Sequence, residues 1–343
     1  MQLTLAVHVI RGSIRESQHV LHAAVCDAEG RLLAGTGEAR LVTTFRSAAK
    51  PFQLLPLVER GHAERFGFSD EELAVMAASH TGSQYHRRLV AGILERVGLA
   101  EKHLVCGFHE PLDPESLAEV RSRPELRSPI YNNCSGKHAG LAALALSEGW
   151  PVEGYERPGH PVQRLLHHTV ADVCGVEPEE LLTGTDDCGV VVFAAALSAM
   201  ARAYARLASA MAEGDARERS LHRIRSAMTS HPAAVGGARR FSTTLMEKTR
   251  GRLVAKGGAE GLECVGLPGR GLGVAVKCAD GAGRALPPAV TALLAHLSEL
   301  SEAECEELAE SRFPVLRNYA GQEVGRLETV IQVSSPSTWV PSP

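Results

Sequence analysis

Aromatic residues are scarce in this chain: Phe, Trp and Tyr make up 4% of its 343 residues, although apolar residues as a whole reach 44%. The core must therefore be filled largely by aliphatic side chains and alanine, which lets helices pack closely. Positive charge is not in excess either. Lys and Arg number 36 against 40 Asp and Glu, the formal charge is −4, and the basic residues are scattered. That excludes a basic footprint for nucleic acid and a patch that would grip a membrane surface. No apolar run free of charge and glycine is long enough to span a bilayer. Residues Met1 to Arg11 lack a basic start and a small-residue cleavage site, and read as a strand rather than a targeting segment. The eight cysteines include no C-x-x-C pair, which predicts reduced thiols in the cytoplasm and not a disulfide framework. The composition suits a protein that handles a small ligand.

What the chain does contain is a short pattern with chemistry in it. Ser47-Ala48-Ala49-Lys50 is followed by Ser79-His80-Thr81-Gly82 and, much later, by Val254-Ala255-Lys256-Gly257-Gly258. Order and chemistry resemble the S-x-x-K, S-x-N and K-T-G set of serine acyl-transfer enzymes that use lysine as base. In a helical turn Lys50 lies on the same face as Ser47, three residues on, within reach of its hydroxyl. A serine hydroxyl needs a base, and an ammonium must first lose its proton through burial or a second cation, for which Lys256 is the candidate. The plain alternative is a helix start with a solvated lysine. Pro51 directly after Lys50 removes a donor to the Ser47 carbonyl and disfavours the helical region at Lys50, so the turn is expected to be tight or distorted.

Periodicity and turn residues place the remaining elements. Strands are expected at 3–10, 19–26 and 31–36, and again at 252–255, 263–267, 273–278 and 323–333. Helices are expected at 47–60, 70–78, 86–97, 114–121, 138–147, 159–173, 190–213, 217–229, 287–299 and 302–310. Ser69 with Glu72 three residues on reads as a capping box. Strands at both ends with helices between predict one α/β unit over residues 1–333, its sheet built from the two termini and covered by helices, with a disordered tail from 334 to 343.

A second cluster is dense in reactive groups: Asn132-Asn133-Cys134-Ser135-Gly136-Lys137-His138, with Asp186-Asp187-Cys188-Gly189 expected at a later helix start. A helix N-terminus lowers a thiol pKa, so the two cysteines with Lys137 or His138 form a candidate zinc site with an open position. Spacing alone favours His138, since a lysine amine must first lose a costly proton. Two buried cysteines filling space is the other reading.

Together the blocks Phe45-Arg46-Ser47-Ala48-Ala49-Lys50-Pro51, Ala78-Ser79-His80-Thr81-Gly82, Asn132 to Gly140 and Val254 to Gly261 resemble the asparaginase II family, the rhizobial-type, thermolabile L-asparaginases. Arg11-Gly12, Glu16-Ser17, His19, Cys106-Gly107, His109, Leu267 to Gly273, Gly321 and Val324-Gly325 extend the resemblance over about residues 5 to 330. It implies hydrolysis of L-asparagine to L-aspartate and ammonia by a homodimer with a serine β-lactamase or penicillin-binding-protein-like fold. Two serine–lysine tandems fall on Ser47 with Lys50 and on Ser79 with Lys256, with Ser47 as nucleophile. Zinc, implied as an aid to substrate binding, maps to Cys134, Lys137 and Cys188, which displaces the preference for His138. Asp186 matches an aspartate that supports the zinc site.

Departures from the family pattern are Asp187 for a usual glycine, Val190-Val191-Val192 in place of a proline soon after the second cysteine, Ser83 for an acidic residue, and Ser242 for an aspartate. Arg46 is a candidate for the substrate α-carboxylate, and His80 is either part of the substrate site or a satisfied structural group. Backbone N–H groups at Ser47 and near Gly257 are candidate oxyanion donors. Glutamine or another amide as substrate, and a non-catalytic zinc-binding protein, are the rival readings.

Overall fold

The computed structural model describes residues 2–334. The tail expected to be disordered lies, beyond Ser334, outside the described residues.

Eight strands form the main sheet: β1 (Gln2–Arg11), β2 (Ile14–Asp27), β3 (Leu32–Thr36), β7 (Val254–Gly258), β8 (Leu262–Leu267), β9 (Leu272–Cys278), β10 (Val315–Arg317) and β11 (Glu323–Ser334). Their order is β10-β11-β1-β3-β2-β9-β8-β7, so the first and last strands of the chain lie side by side. Pairing is antiparallel apart from a single parallel bridge between Leu3 and Thr36. Every residue of β8 and β9 is buried, as expected of strands covered on both faces. This is the mixed α/β architecture, with a sheet from the two termini, that the sequence predicts.

A second sheet was not anticipated. It runs β4-β6-β5, with β4 (Val42–Thr44), β5 (Leu182–Thr185) and β6 (Val191–Ala196) all antiparallel. The helix expected over 190–213 is here a strand followed by the helix Leu197–Ser209. Val190, Val191, Val192 and Phe193 explain the difference: β-branched and aromatic side chains lose rotamer freedom in a helix and fit a pleated strand. Cys188 accordingly lies in a hairpin turn, closed by Asp186 N–H to Val190 O and Gly189 N–H to Asp186 O, and not at a helix start.

The helices before the second sheet are α1 (Lys50–Glu59), α2 (His62–Arg65), α3 (Asp70–Met76), α4 (Gln84–Arg96), α5 (Pro114–Ser122), α6 (Ser135–Ser147) and α7 (Pro161–Cys174). After it come α8 (Leu197–Ser209), α9 (Ala216–Ser230), α10 (Pro232–Val235), α11 (Phe241–Lys248), α12 (Leu286–His296), α13 (Glu302–Glu307) and α14 (Ala309–Arg312). The capping box at Ser69 and Glu72 forms as expected. Helix α8 packs on β2, β8 and β9, while α12 packs on β1, β8, β9 and β11. Helix α1 is buried from Lys50 to Val58 and touches α3, α6, α7 and α9, which puts the S-x-x-K segment where the helices meet the sheet. Glycine permits that packing: a Cβ at Gly136 would lie 2.1 Å from the Val75 carbonyl oxygen, so only glycine lets α6 approach α3 this closely.

Candidate active site

Strand β4 delivers the chain to Phe45, whose N–H donates to Phe193 O at 2.7 Å. Its ring is fully buried against Phe52 and Tyr204. Residues 46–49 form one 3-10 turn, closed by the Lys50 N–H donating to Ser47 O, and the Tyr204 hydroxyl donates to Ala48 O at 2.9 Å. Lys50 itself is helical (φ −59°, ψ −37°). The distortion expected from Pro51 is confined to that tight turn, because a proline in the first turn of α1 gives up an N–H that has no helical partner anyway. Arg46, at φ 45°, sits in the left-handed region that a non-glycine residue occupies only under local constraint.

Lys50 reaches into the protein interior, where it is buried. Its Nζ donates to Ala78 O at 2.6 Å and lies 3.0 Å from Ser79 Oγ and 3.2 Å from Cys134 Sγ. Lys256 Nζ reaches the same Ser79 Oγ at 2.9 Å and donates to Gly257 O at 2.7 Å. Ser79 is placed by its N–H to Val235 O, at the end of a segment packed on α10. Burial, with Lys50 beside it, holds the Lys256 amine facing Ser79 well below the ordinary lysine range. The structure thus brings Lys50, Ser79 and Lys256 into one chain of contacts. Ser47, partly exposed, makes no side-chain hydrogen bond to any of them.

The thiol cluster adjoins this chain. Cys134 caps α6, its N–H held by Asn132 Oδ1 at 2.8 Å, and Lys137 one turn on places Nζ 2.9 Å from Cys188 Sγ. The hydrogen bond from Cys188, with Lys50 and Lys137 nearby, lowers Cys134 far below a free thiol, against its burial. Cys188 is pushed up in turn, by that same bond and by burial. Burial works against a charge on Lys137, but Cys134, Cys188 and Asp186 keep it protonated. Two sulfurs and an amine converge here, a donor set that fits a three-ligand zinc site with an open position once the protons leave. His138 is turned elsewhere: its Nδ1 meets the Tyr155 hydroxyl at 2.7 Å and its Nε2 has no partner.

Among the described residues one further group has metal-ligand composition, His19 with Cys278 and Asp280. Arg284 Nε donates to His19 Nε2 at 3.0 Å, which leaves the ring proton on Nδ1, 2.7 Å from Asp280 Oδ2. The nitrogen that would have to ligate is therefore occupied, and the group is a hydrogen-bonded network.

Arg46 and Asp186 meet at 3.0 Å, and Asp187 joins the same guanidinium at 2.5 Å. Both carboxylates come from the β5–β6 turn, and the buried Arg46 Nε has no partner. His80 is fully buried and neutral, lowered by burial and by His86, Lys50 and His109. Gly82 N–H donates to its Nδ1 and its Nε2 faces Ser135 Oγ at 3.0 Å, so neither nitrogen is free for a substrate. The Gly257 N–H is likewise taken: it donates to Ser242 Oγ at 2.9 Å, which removes it from the candidate oxyanion donors. Ser242 in turn donates to Glu263 Oε1 at 2.7 Å, a buried carboxyl the motif reading passed over. The signal was present in Leu262-Glu263-Cys264-Val265, an acidic residue inside an apolar strand.

A hydroxyl held between two lysine amines, beside a thiol cluster on an α/β frame, is the apparatus of a serine amidohydrolase. The chain belongs to the L-asparaginase II family, whose model matches residues 7–329. No curated protein matches it. Among solved structures it is similar to a β-lactamase from Mycobacterium bovis, at 18% identity over 80% of this chain and 94% of that one, with a TM-score of 0.40. It is also similar to the native form of Mglu, at 16% identity and a TM-score of 0.38, covering 82% of this chain and 61% of Mglu. No helix among the described residues is long and apolar enough to cross a membrane.

Proposed function

We propose that this chain hydrolyses L-asparagine to L-aspartate and ammonia, with residues 1–333 as one catalytic unit. The observation that carries the reading is the shared approach of Lys50 and Lys256 to Ser79 Oγ, at 3.0 and 2.9 Å. Neutral Lys256 takes a proton from Lys50 through Ser79, which frees Lys50 to take the Ser47 proton. Ser47 Oγ then bonds to the side-chain amide carbon, the C–N bond breaks, and ammonia leaves with a proton returned along the same relay. Water, deprotonated by the relay, cleaves the β-aspartyl ester and releases Ser47.

Arg46 and Asp186, set at the mouth of the Ser47 turn, are matched to the α-carboxylate and α-ammonium of an amino acid. His80 supports the Ser79 turn from within. Cys134, Lys137 and Cys188 would hold zinc, whose charge would help to hold the substrate. Family membership supports a small amide as substrate, the resemblance supports a homodimer, and the eight unpaired cysteines support a reducing, cytoplasmic setting. Glutamine, one methylene longer, is rejected by such a pocket only moderately.

One observation favours a second reading. The hydroxyl that contacts both lysines is Ser79, so Lys256 as base and Ser79 as nucleophile is the alternative within the same chemistry. Ammonia release from L-asparagine and L-glutamine, by the wild type and by Ser47→Ala and Ser79→Ala with zinc present, separates the readings. Trapping the acyl-enzyme and locating the modified peptide by mass spectrometry names the nucleophile. Stoichiometric zinc with no release from any amide would overturn the enzyme reading altogether.

A further inference from the structure

Strand β7 is the open edge of the main sheet, so Gly257 turns its N–H and C=O outward with no neighbouring strand to meet them. Two side chains take the place of that strand. Ser242, from α11, accepts the Gly257 N–H at 2.9 Å, and Lys256 Nζ donates to the Gly257 carbonyl at 2.7 Å. Ser242 can accept there because its own proton goes to Glu263 Oε1, at 2.7 Å. Glu263 stands opposite Gly257 in the β7–β8 ladder and is buried. Its carboxyl group fills the place a side chain at 257 would need: a Cβ there would lie 2.9 Å from Glu263 Oε2. A side chain at the second position of the Lys256-Gly257-Gly258 motif would have to displace that buried acid.

We propose that Glu263 is a positioning residue of this active site, which through Ser242 and Gly257 sets where the Lys256 amine stands and whether it carries a proton. The inference rests on the proposed role of Lys256. The charged and titratable groups around the pair are Lys50 and Cys134 on the side of Lys256, and Arg240, Tyr204 and the neighbouring Cys264 around Glu263. Burial raises the Glu263 carboxyl to about 7, against the pull of Ser242, Lys256 and Arg240. Ionised, it favours the protonated amine of Lys256; neutral, it releases that amine for the relay.

The test uses Glu263→Gln, which keeps an acceptor for Ser242 but has no charge, and Ser242→Ala, which keeps the acid but removes its donor. Lysine 13Cε and glutamate 13Cδ NMR titrations read the protons of Lys256 and Glu263 without turnover, and ammonia release against pH reads their effect. In Glu263→Gln the Lys256 titration should move to lower pH by about one unit, the ionisation near neutrality should vanish from the profile, and kcat near neutral pH should hold or rise with KM little changed. In Ser242→Ala the Glu263 titration should move to higher pH, because the carboxylate loses a donor. Wild-type titrations and profiles in both variants would overturn the proposal. Should Glu263→Gln not fold, a wild-type Glu263 that titrates in the ordinary carboxylate range would overturn it as well. A wild type that releases no ammonia, but whose Lys256 titration still moves in Glu263→Gln, would sink the asparaginase reading and leave the coupling intact.

Discussion

Lys50 and Lys256, 206 positions apart in the chain, bring their amines to the same oxygen, Ser79 Oγ, at 3.0 and 2.9 Å. Two like charges so close together in a buried site disfavour each other, and it is the Lys256 amine that is held well below the ordinary range. The consequence is an amine held well below the ordinary lysine range within reach of a hydroxyl, which an isolated lysine does not provide.

Ser79→Ala removes the oxygen between the two amines and should lower kcat roughly 10²–10⁴-fold, whichever serine is the nucleophile. Steady-state ammonia release measures it. Retention of full turnover would exclude Ser79 from the proton path.

Cys188→Ser should abolish stoichiometric zinc binding, measured by elemental analysis after dialysis. Because zinc is assigned to substrate binding, the loss should appear mainly as a raised KM. A fall in kcat at unchanged KM would instead place the metal in the chemical step.

Asp187 is 91% exposed at its side chain yet pairs with Arg46. Its removal in Asp187→Ala should leave Tm unchanged, since exposed ion pairs add little to stability. If Arg46 receives the substrate carboxylate, the variant should bind substrate more tightly, seen as a lower KM. An unchanged KM would take Arg46 out of the substrate site.

Gly136→Ala would force a Cβ to within 2.1 Å of the Val75 carbonyl. Backbone cannot yield as a flexible side chain can, so α6 must shift from α3 at a cost of about 3 kcal/mol or more. Chemical denaturation measures this, and a wild-type midpoint would contradict the close approach.

Glu263 also predicts a stability profile. Its carboxyl is raised from the usual 4.5 to about 7 in the folded protein, so the unfolded chain releases this proton first as pH rises. The wild type therefore loses stability relative to Glu263→Gln between about pH 4.5 and 7, by about 3 kcal/mol in total, and the difference is flat above that window. Urea melts of both proteins across the range test the sign.

Much of the frame was legible because it is local. Ser69 and Glu72 specify a capping box within four residues, and the alternation and turns of 19–26 and 31–36 foretell a hairpin without reference to the rest of the chain. The segment 190–213 was misread because its alanines satisfy a helix along its whole length, while the choice of strand for 191–196 depends on pairing with residues 42–44 and 182–185. The candidate zinc ligand shows the same limit. Lys137 and His138 are adjacent, and only the packing of α6 turns one toward Cys188 and the other toward Tyr155.

By itself the sequence determined the inventory: two serines, three lysines and two thiols in recognisable short motifs. The tertiary structure alone decided how they combine. It brought Lys50 to Ser79, closed the outward face of Gly257 with Ser242 and Glu263, and set Asp187 against Arg46. The reason is physical. Whether a buried amine or carboxyl keeps its proton depends on the charges and donors within a few ångströms, and here those come from distant parts of the chain that meet only when the sheet edge and the helices have closed around them.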